Sequence, residues 1–310
     1  MRKIFYIISF ALVGLTKLQA QQEGIFNHYL VDPVLINPAY AGSSDKYQLF
    51  AHYHTQFDNF QGAPQSYAFS ANGLLGDKLG LGAQIFSENI SFFNHFMAQI
   101  DYAYHYSNAG MKAGIGFSTS FSKTRLISDV TKGYLYNPTD YTAQDALSGA
   151  TYFDASVGAN LLLADKFFVS LSSPNLIRAR LGSSTGSSQP SSLFKQFILY
   201  TGYIYKKDQY TFEPSLQIRK LYESPFEADV SGKLGIMDGR FMAGFTYTPG
   251  PTGKWGLMIG TKQANFQFYY TYTSSTANIS SYTATGHEIT LGLELAKKDK
   301  KFQRKKSYRN

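Results

Sequence analysis

Residues 92–106 read Phe-Phe-Asn-His-Phe-Met-Ala-Gln-Ile-Asp-Tyr-Ala-Tyr-His-Tyr. One side of the run is Phe92, Asn94, Phe96, Ala98, Ile100, Tyr102, Tyr104 and Tyr106. The other is Phe93, His95, Met97, Gln99, Asp101, Ala103 and His105. Successive side chains on a strand point to opposite faces, so this is a strand with an aromatic, apolar face and a mostly polar one. The question it raises is which medium meets each face.

Length decides it. Strands of soluble domains are commonly ~5–6 residues, whereas a tilted membrane strand needs ~9–11. Period-two runs recur at 46–56, 65–75, 79–88, 92–106, 111–122, 152–163, 167–173, 196–206, 210–220, 225–236, 240–249, 254–263, 265–274 and 286–296. Nearly all have the membrane length. Tyr102, Tyr104 and Tyr106, Tyr203 and Tyr205, and Tyr269, Tyr270 and Tyr272 crowd strand ends as an interfacial girdle does. The expected fold is all-β: a transmembrane antiparallel barrel of about fourteen strands.

The connections agree. Gly76-Asp77, Asp165-Lys166, Lys207-Asp208 and Asp238-Gly239 are tight-turn pairs. An even count puts both ends on the periplasmic side. The three long connections, 123–151, 172–195 and 274–285, follow odd strands and so fall outside, where such barrels keep their longer loops.

The remaining composition fits export. Arg2 and Lys3, the apolar run Ile4 to Leu15 and Leu18-Gln19-Ala20 read as a secretory signal over 1–20. With no Cys in the chain, disulfides, thiol nucleophiles and Cys-bound metals are excluded. The net charge is +8, but three basic residues lie in the first twenty, and eight with Asp299 lie in the tail 297–310. The body from Gln21 to Ala296 is left at −2. That argues against a nucleic-acid groove. The basic tail reads as a solvated periplasmic terminus or a contact with an acidic partner. Residues 21–45, with Pro33 and Pro38, form a pre-barrel segment or plug ahead of the barrel at 46–296.

Chemistry is thin. Gly182-Ser183-Ser184-Thr185-Gly186 has the nucleophile spacing but lies in a Ser/Gly-rich loop rather than between strand and helix. His52 and His54 share a face with Gln48 and are placed to touch one metal. With no carboxylate near in sequence, a polar lumen wall is the better reading. Asp101, Glu213, Glu227, Asp229, Glu288 and Glu294 face the interior and pair with Lys233 and Arg219. No catalytic residue, metal ligand or cofactor site is assigned.

Three motifs carry a resemblance. They are Ile25-Phe26-Asn27-His28-Tyr29, Leu35-Ile36-Asn37-Pro38-Ala39-Tyr40-Ala41-Gly42, and Gln56-Phe57-Asp58-Asn59-Phe60-Gln61-Gly62-Ala63-Pro64. Leu79-Gly80-Leu81-Gly82, Ser173-Pro174-Asn175-Leu176 and Gly286 to Gly292 extend it along nearly the whole chain. Together they resemble the PorP/SprF family of type IX secretion and gliding outer-membrane proteins of Bacteroidetes. Gln56-Phe57 stands where that family often has Trp.

The resemblance implies a non-enzymatic barrel that helps secrete and anchor a cargo protein or adhesin through its C-terminal sorting domain. It also implies contact with a periplasmic peptidoglycan-linked lipoprotein. A general diffusion porin or transporter is the alternative. Asn37, Pro38, Tyr40 and Gly42 of the pre-barrel segment, and Tyr134, Tyr136 and Tyr141 of the longest loop, are the expected partner-binding residues. Pro38 holds Asn37 extended and Gly42 supplies a turn, so Leu35 to Gly42 is expected as an extended plug with a bend before the first strand.

Overall fold

The computed structural model describes residues 27–56, 62–127, 131, 141–182, 195–221, 226–250, 253–276 and 285–297. Strands β1 (Lys46–Gln56), β2 (Gln65–Leu75), β3 (Leu79–Ile90), β4 (Phe93–Asn108) and β5 (Met111–Leu126) form one antiparallel run. After helix α1 (Tyr141–Ser148) come β6 (Ala150–Leu163), β7 (Phe167–Ser173), the short β8 (Ala179–Leu181), β9 (Phe197–Tyr203) and β10 (Tyr205–Lys207). The sheet ends with β11 (Tyr210–Lys220), β12 (Glu227–Ile236), β13 (Phe241–Thr248), β14 (Lys254–Gln263), β15 (Phe266–Ser275) and β16 (Thr285–Ala296).

Each strand pairs with its neighbours, β7 pairs β9, β9 pairs β11, and β1 pairs β16 from Lys46↔Ala296 to Gln56↔Gly286. The sheet is therefore closed. β8 hangs on β6, and β9 with β10 occupies one place in the wall. Fourteen staves result, as the alternation predicts. The ladder to β11 lapses at Tyr203 and Ile204, between the pairs Gly202↔Ser215 and Tyr205↔Phe212, where β11 carries Pro214, which has no N–H to give. Closure matters because lipid offers no partner to an unpaired backbone group.

The outer face is a belt of exposed apolar side chains. Phe96, Ile100, Tyr102, Tyr104 and Tyr106 of β4 point out, beside Ile85 of β3 and Ile115, Phe117 and Phe121 of β5. Ile115 is 70% exposed, which only a lipid surround makes favourable. The inner face is polar: Asp101, Ser118, Gln217, Asp229, Glu288 and Thr290 are all at 1% or less.

One rim carries both chain ends of the barrel and only connections of two to four residues, among them 76–78, 164–166 and 237–240. Gly76, Asp165, Asp208 and Gly239 turn there at positive φ. The other rim carries 127–149, 174–196 and 276–284, so the three long connections do share one side. Residues 28–42 lie inside the wall. They are not extended, contrary to the sequence reading. Three 3₁₀ turns, Asn27–Leu30, Pro33–Leu35 and Pro38–Tyr40, follow one another. Pro33 and Pro38 each sit at a turn's start, where a fixed φ favours the turn and the missing N–H costs nothing. Only Asn37 keeps the extended geometry that a following proline demands (φ −154°, ψ 117°).

Candidate functional site

The plug is the best-built feature of the lumen. A barrel this wide cannot fill its interior from wall side chains alone. The segment does it, and its backbone must be satisfied there. Wall side chains supply the donors. Gln84 donates to the Val34 carbonyl at 3.2 Å, Ser172 to Ile36 at 2.7 Å, and Asn160 to Ala39 at 2.8 Å. His105 Nε2 lies 2.7 Å from the Ala41 carbonyl oxygen, and Lys233 donates to Leu30 at 2.8 Å.

Asn37 is the pin. Its Oδ1 accepts from the Ala39 N–H at 2.8 Å and caps the third turn. Its Nδ2 donates to Ala159 O, Ser170 Oγ and Leu171 O at 3.1, 2.8 and 3.2 Å. Gly42, at φ +69°, gives its N–H to Asn72 Oδ1 at 3.1 Å. The turns press so close to the wall that a Cβ on Gly80 would overlap the Ala41 carbonyl. One on Gly116 would overlap the Ala39 backbone, and one on Gly158 the Asn37 side chain. Inward glycines of β3, β5 and β6 thus form a groove for Asn37 to Gly42. This use of Gly80 is not visible in a strand pattern, where glycine reads only as a weak spot.

A family model described as the type IX secretion system membrane protein PorP/SprF matches residues 18–293. The chain belongs to the PorP/SprF family. The comparison with curated proteins gave no match. Among solved structures the chain is similar to the CymD monoaromatic hydrocarbon channel. There the TM-score is 0.56 and the identity 12%, over 89% of this chain and 94% of that one. The Ralstonia pickettii toluene transporter TbuX gives 0.50 and 10%, over 84% and 92%. At these identities the likeness is one of fold. A closed barrel with a lipid-facing belt, in this family of secretion-system membrane proteins, is an outer-membrane protein.

In this PorP/SprF barrel the plug divides the lumen. Above it, toward the long connections, a cavity of about 230 Å³ is floored by Leu35 and Ile36 and walled by Glu88, His95, Asp154 and Arg178. Below it, a second of about 280 Å³ meets Tyr29, Tyr40, Glu213 and Lys233. The plug's own sides also differ. Tyr29, Leu30 and Ile36 pack on Ile198, Tyr200 and Phe168 in an apolar cluster, with Tyr29 edge-on to Tyr200 at 5.3 Å. Across the lumen His28 and Asp32 meet a mainly polar wall, with the Tyr269 ring edge-on to His28 at 6.2 Å. Burial keeps the His28 imidazole well below its ordinary pKa, and the neighbouring His52 and His54 push the same way. Burial raises the Tyr29 phenol and pushes Tyr40 up to about 12, against a lowering bond from Ser170.

Of the expected interior carboxylates, Glu227, Asp229 and Glu213 pair with Arg219 and Lys233 as read, while Glu288 meets His28 and Asp101 meets Gln84 and Gln99 instead. Arg219 binds Glu227 and Asp229, and Lys233 lies 2.8 Å from Glu213. Glu294 sits between Lys46 and Lys262 at 2.7 and 2.8 Å. One reading needs correction. His52 does meet a carboxylate, Asp32 Oδ2 at 3.1 Å, twenty residues upstream and delivered by the plug. Asp32 also accepts from Ser70 at 2.5 Å. His28, Asp32 and Thr290 carried no sequence signal as a group, because Thr290 lies more than two hundred residues away.

Of the expected partner residues, Asn37, Pro38, Tyr40 and Gly42 come together in the groove. Tyr141 opens helix α1, while Tyr134 and Tyr136 lie outside the described residues. So do the signal segment 1–20, Ser183 to Gly186 of the G-x-S-x-G match and the tail from Lys298.

Proposed function

We propose that this barrel helps secrete and anchor a cargo protein or adhesin at the cell surface. It would receive the cargo's C-terminal sorting domain and would carry out no catalysis itself. The observation that carries the reading is a filled lumen in a PorP/SprF member: a pore crossed by Tyr29, Ile36, Asn37 and Ala39, all buried, is built to hold rather than to leak. The long-connection rim would face outward and engage the cargo. The opposite rim, with Ala296 and the basic tail, would meet a periplasmic peptidoglycan-linked lipoprotein. Non-enzymatic use is supported by Glu227, Asp229 and Glu294, whose charges are taken up by wall cations.

A diffusion porin is the weaker reading, because the plug stands in the path. Planar-bilayer recording of the purified chain tests this directly. The anchor reading expects little or no steady conductance, with a pore opened by deletion of residues 22–42. It also expects affinity capture from outer membranes to bring down one surface protein through its terminal domain. A wide open wild-type channel, with no captured partner, would overturn it.

A further inference from the structure

His28, His52 and Glu288 each bring one ligand atom to within 4.8 Å of the others. All three are buried. They arrive on three different pieces of chain: His28 from the first turn of the plug, His52 from β1, Glu288 from β16. The last two strands are the seam at which the barrel closes.

The side chains are held as metal ligands are held. Both Nδ1 atoms converge on Thr290 Oγ1, at 2.5 and 2.6 Å. Glu288 Oε1 is 3.3 Å from His28 Nδ1. On the far side of each ring a second group fixes its orientation: Thr271 Oγ1 at 2.7 Å from His28 Nε2, and Asp32 Oδ2 at 3.1 Å from His52 Nε2. Ligating histidines characteristically use their other nitrogen in this way, often on a carboxylate, which sets tautomer and basicity. The His28 backbone N–H, donating at 2.8 Å, aims Glu288.

Charge points the same way. Asp32, Glu227, Asp229 and Glu288 are four buried carboxylates. Arg219 is taken up by two of them, and Lys254 lies in the field of Glu227, Asp229 and Glu288. Burying an anion is costly, and a divalent ion would add positive charge beside the buried Glu288 and Asp32.

We propose that His28, His52 and Glu288 bind one divalent cation of the zinc class. Two neutral imidazoles and a carboxylate form a donor set this ion takes readily, in preference to the all-oxygen shells of magnesium and calcium. The fourth place falls to Thr290 or a water. The ion ties the first turn of the plug to the barrel's closing seam. Removing it frees that turn, while Asn37 to Gly42 stay in their groove.

The test uses the full chain in detergent, stripped with chelator, then titrated with zinc chloride and desalted. About one zinc per chain should remain, with a higher unfolding temperature and slower proteolysis near residue 28, and magnesium should do neither. His28→Gln and Glu288→Gln should lose the zinc, and Asp32→Asn should weaken it ~10–100-fold. Heat-modifiable gel mobility reports whether each variant's barrel is closed. A stripped wild type that takes up no zinc overturns the proposal without any variant. So does zinc retained equally by closed-barrel His28→Gln and Glu288→Gln.

Discussion

The two ends of the plug are held by different physics. Asn37 to Gly42 lie in a groove of glycines, with their carbonyls capped by Asn160 and His105 and one amide side chain reaching β6 and β7. That end is a matter of shape and neutral hydrogen bonds. His28 and Asp32 face ionisable groups on β1 and β16, beside the Arg219 cluster of β11 and β12. That end depends on charge balance in a dry interior. The difference teaches that one short segment can be seated by shape and neutral hydrogen bonds at one end and by charge at the other.

The largest effect should come from breaking the charged side. Arg219→Met leaves Glu227 and Asp229 buried without their cation, and unfolding in denaturant should fall by about 3–5 kcal/mol. Next is the pin of the neutral side. Asn37→Ala removes a cap and the amide N–H contacts to Ala159, Ser170 and Leu171, and about 2–3 kcal/mol of plug docking should go with them. Limited proteolysis would show cleavage within 28–42 while the barrel stays intact. Stability and protection equal to wild type would show that Asn37 is a bystander.

Gly116→Ala sharpens the shape argument. The added methyl meets the Ala39 backbone, and about 1–3 kcal/mol should be lost to the forced shift, read as raised conductance at unchanged barrel folding. A larger loss at Gly256, where an added Cβ makes only ordinary contacts at 3.5 Å or more, would contradict the groove.

The smallest effect is alkaline. The Tyr40 phenol, pushed up to about 12 when docked, ionises near its ordinary 10 when released. Between those values release sheds a proton, so docking weakens as pH rises, and it is unaffected by this group below 10. Tyr40→Phe should flatten that part of the proteolysis profile; an unchanged profile would remove Tyr40 from the account.

Much of the wall was legible. β1, β2, β7, β11 and β14 have the bounds that alternation predicts, because burial on one side and lipid on the other imprint a period of two on any strand. Interior pairing of Arg219 and Lys233 was legible for the same reason: their neighbours two along the strand, or across it, share the face. The plug was half legible. Asn37 before Pro38 signalled an extended residue, and it is one. The turns around it were missed, since Pro33 and Pro38 break strands and open turns with equal ease.

Sequence alone therefore determined a closed, lipid-facing barrel with its long connections on one side, because local periodicity and strand length suffice to state which medium each face meets. Only the tertiary structure decided how the lumen is filled. Placing Asn37 against Ser170, and His28 against Thr290, depends on contacts across more than a hundred residues. No local pattern records a distance between side chains that meet only after the sheet has closed.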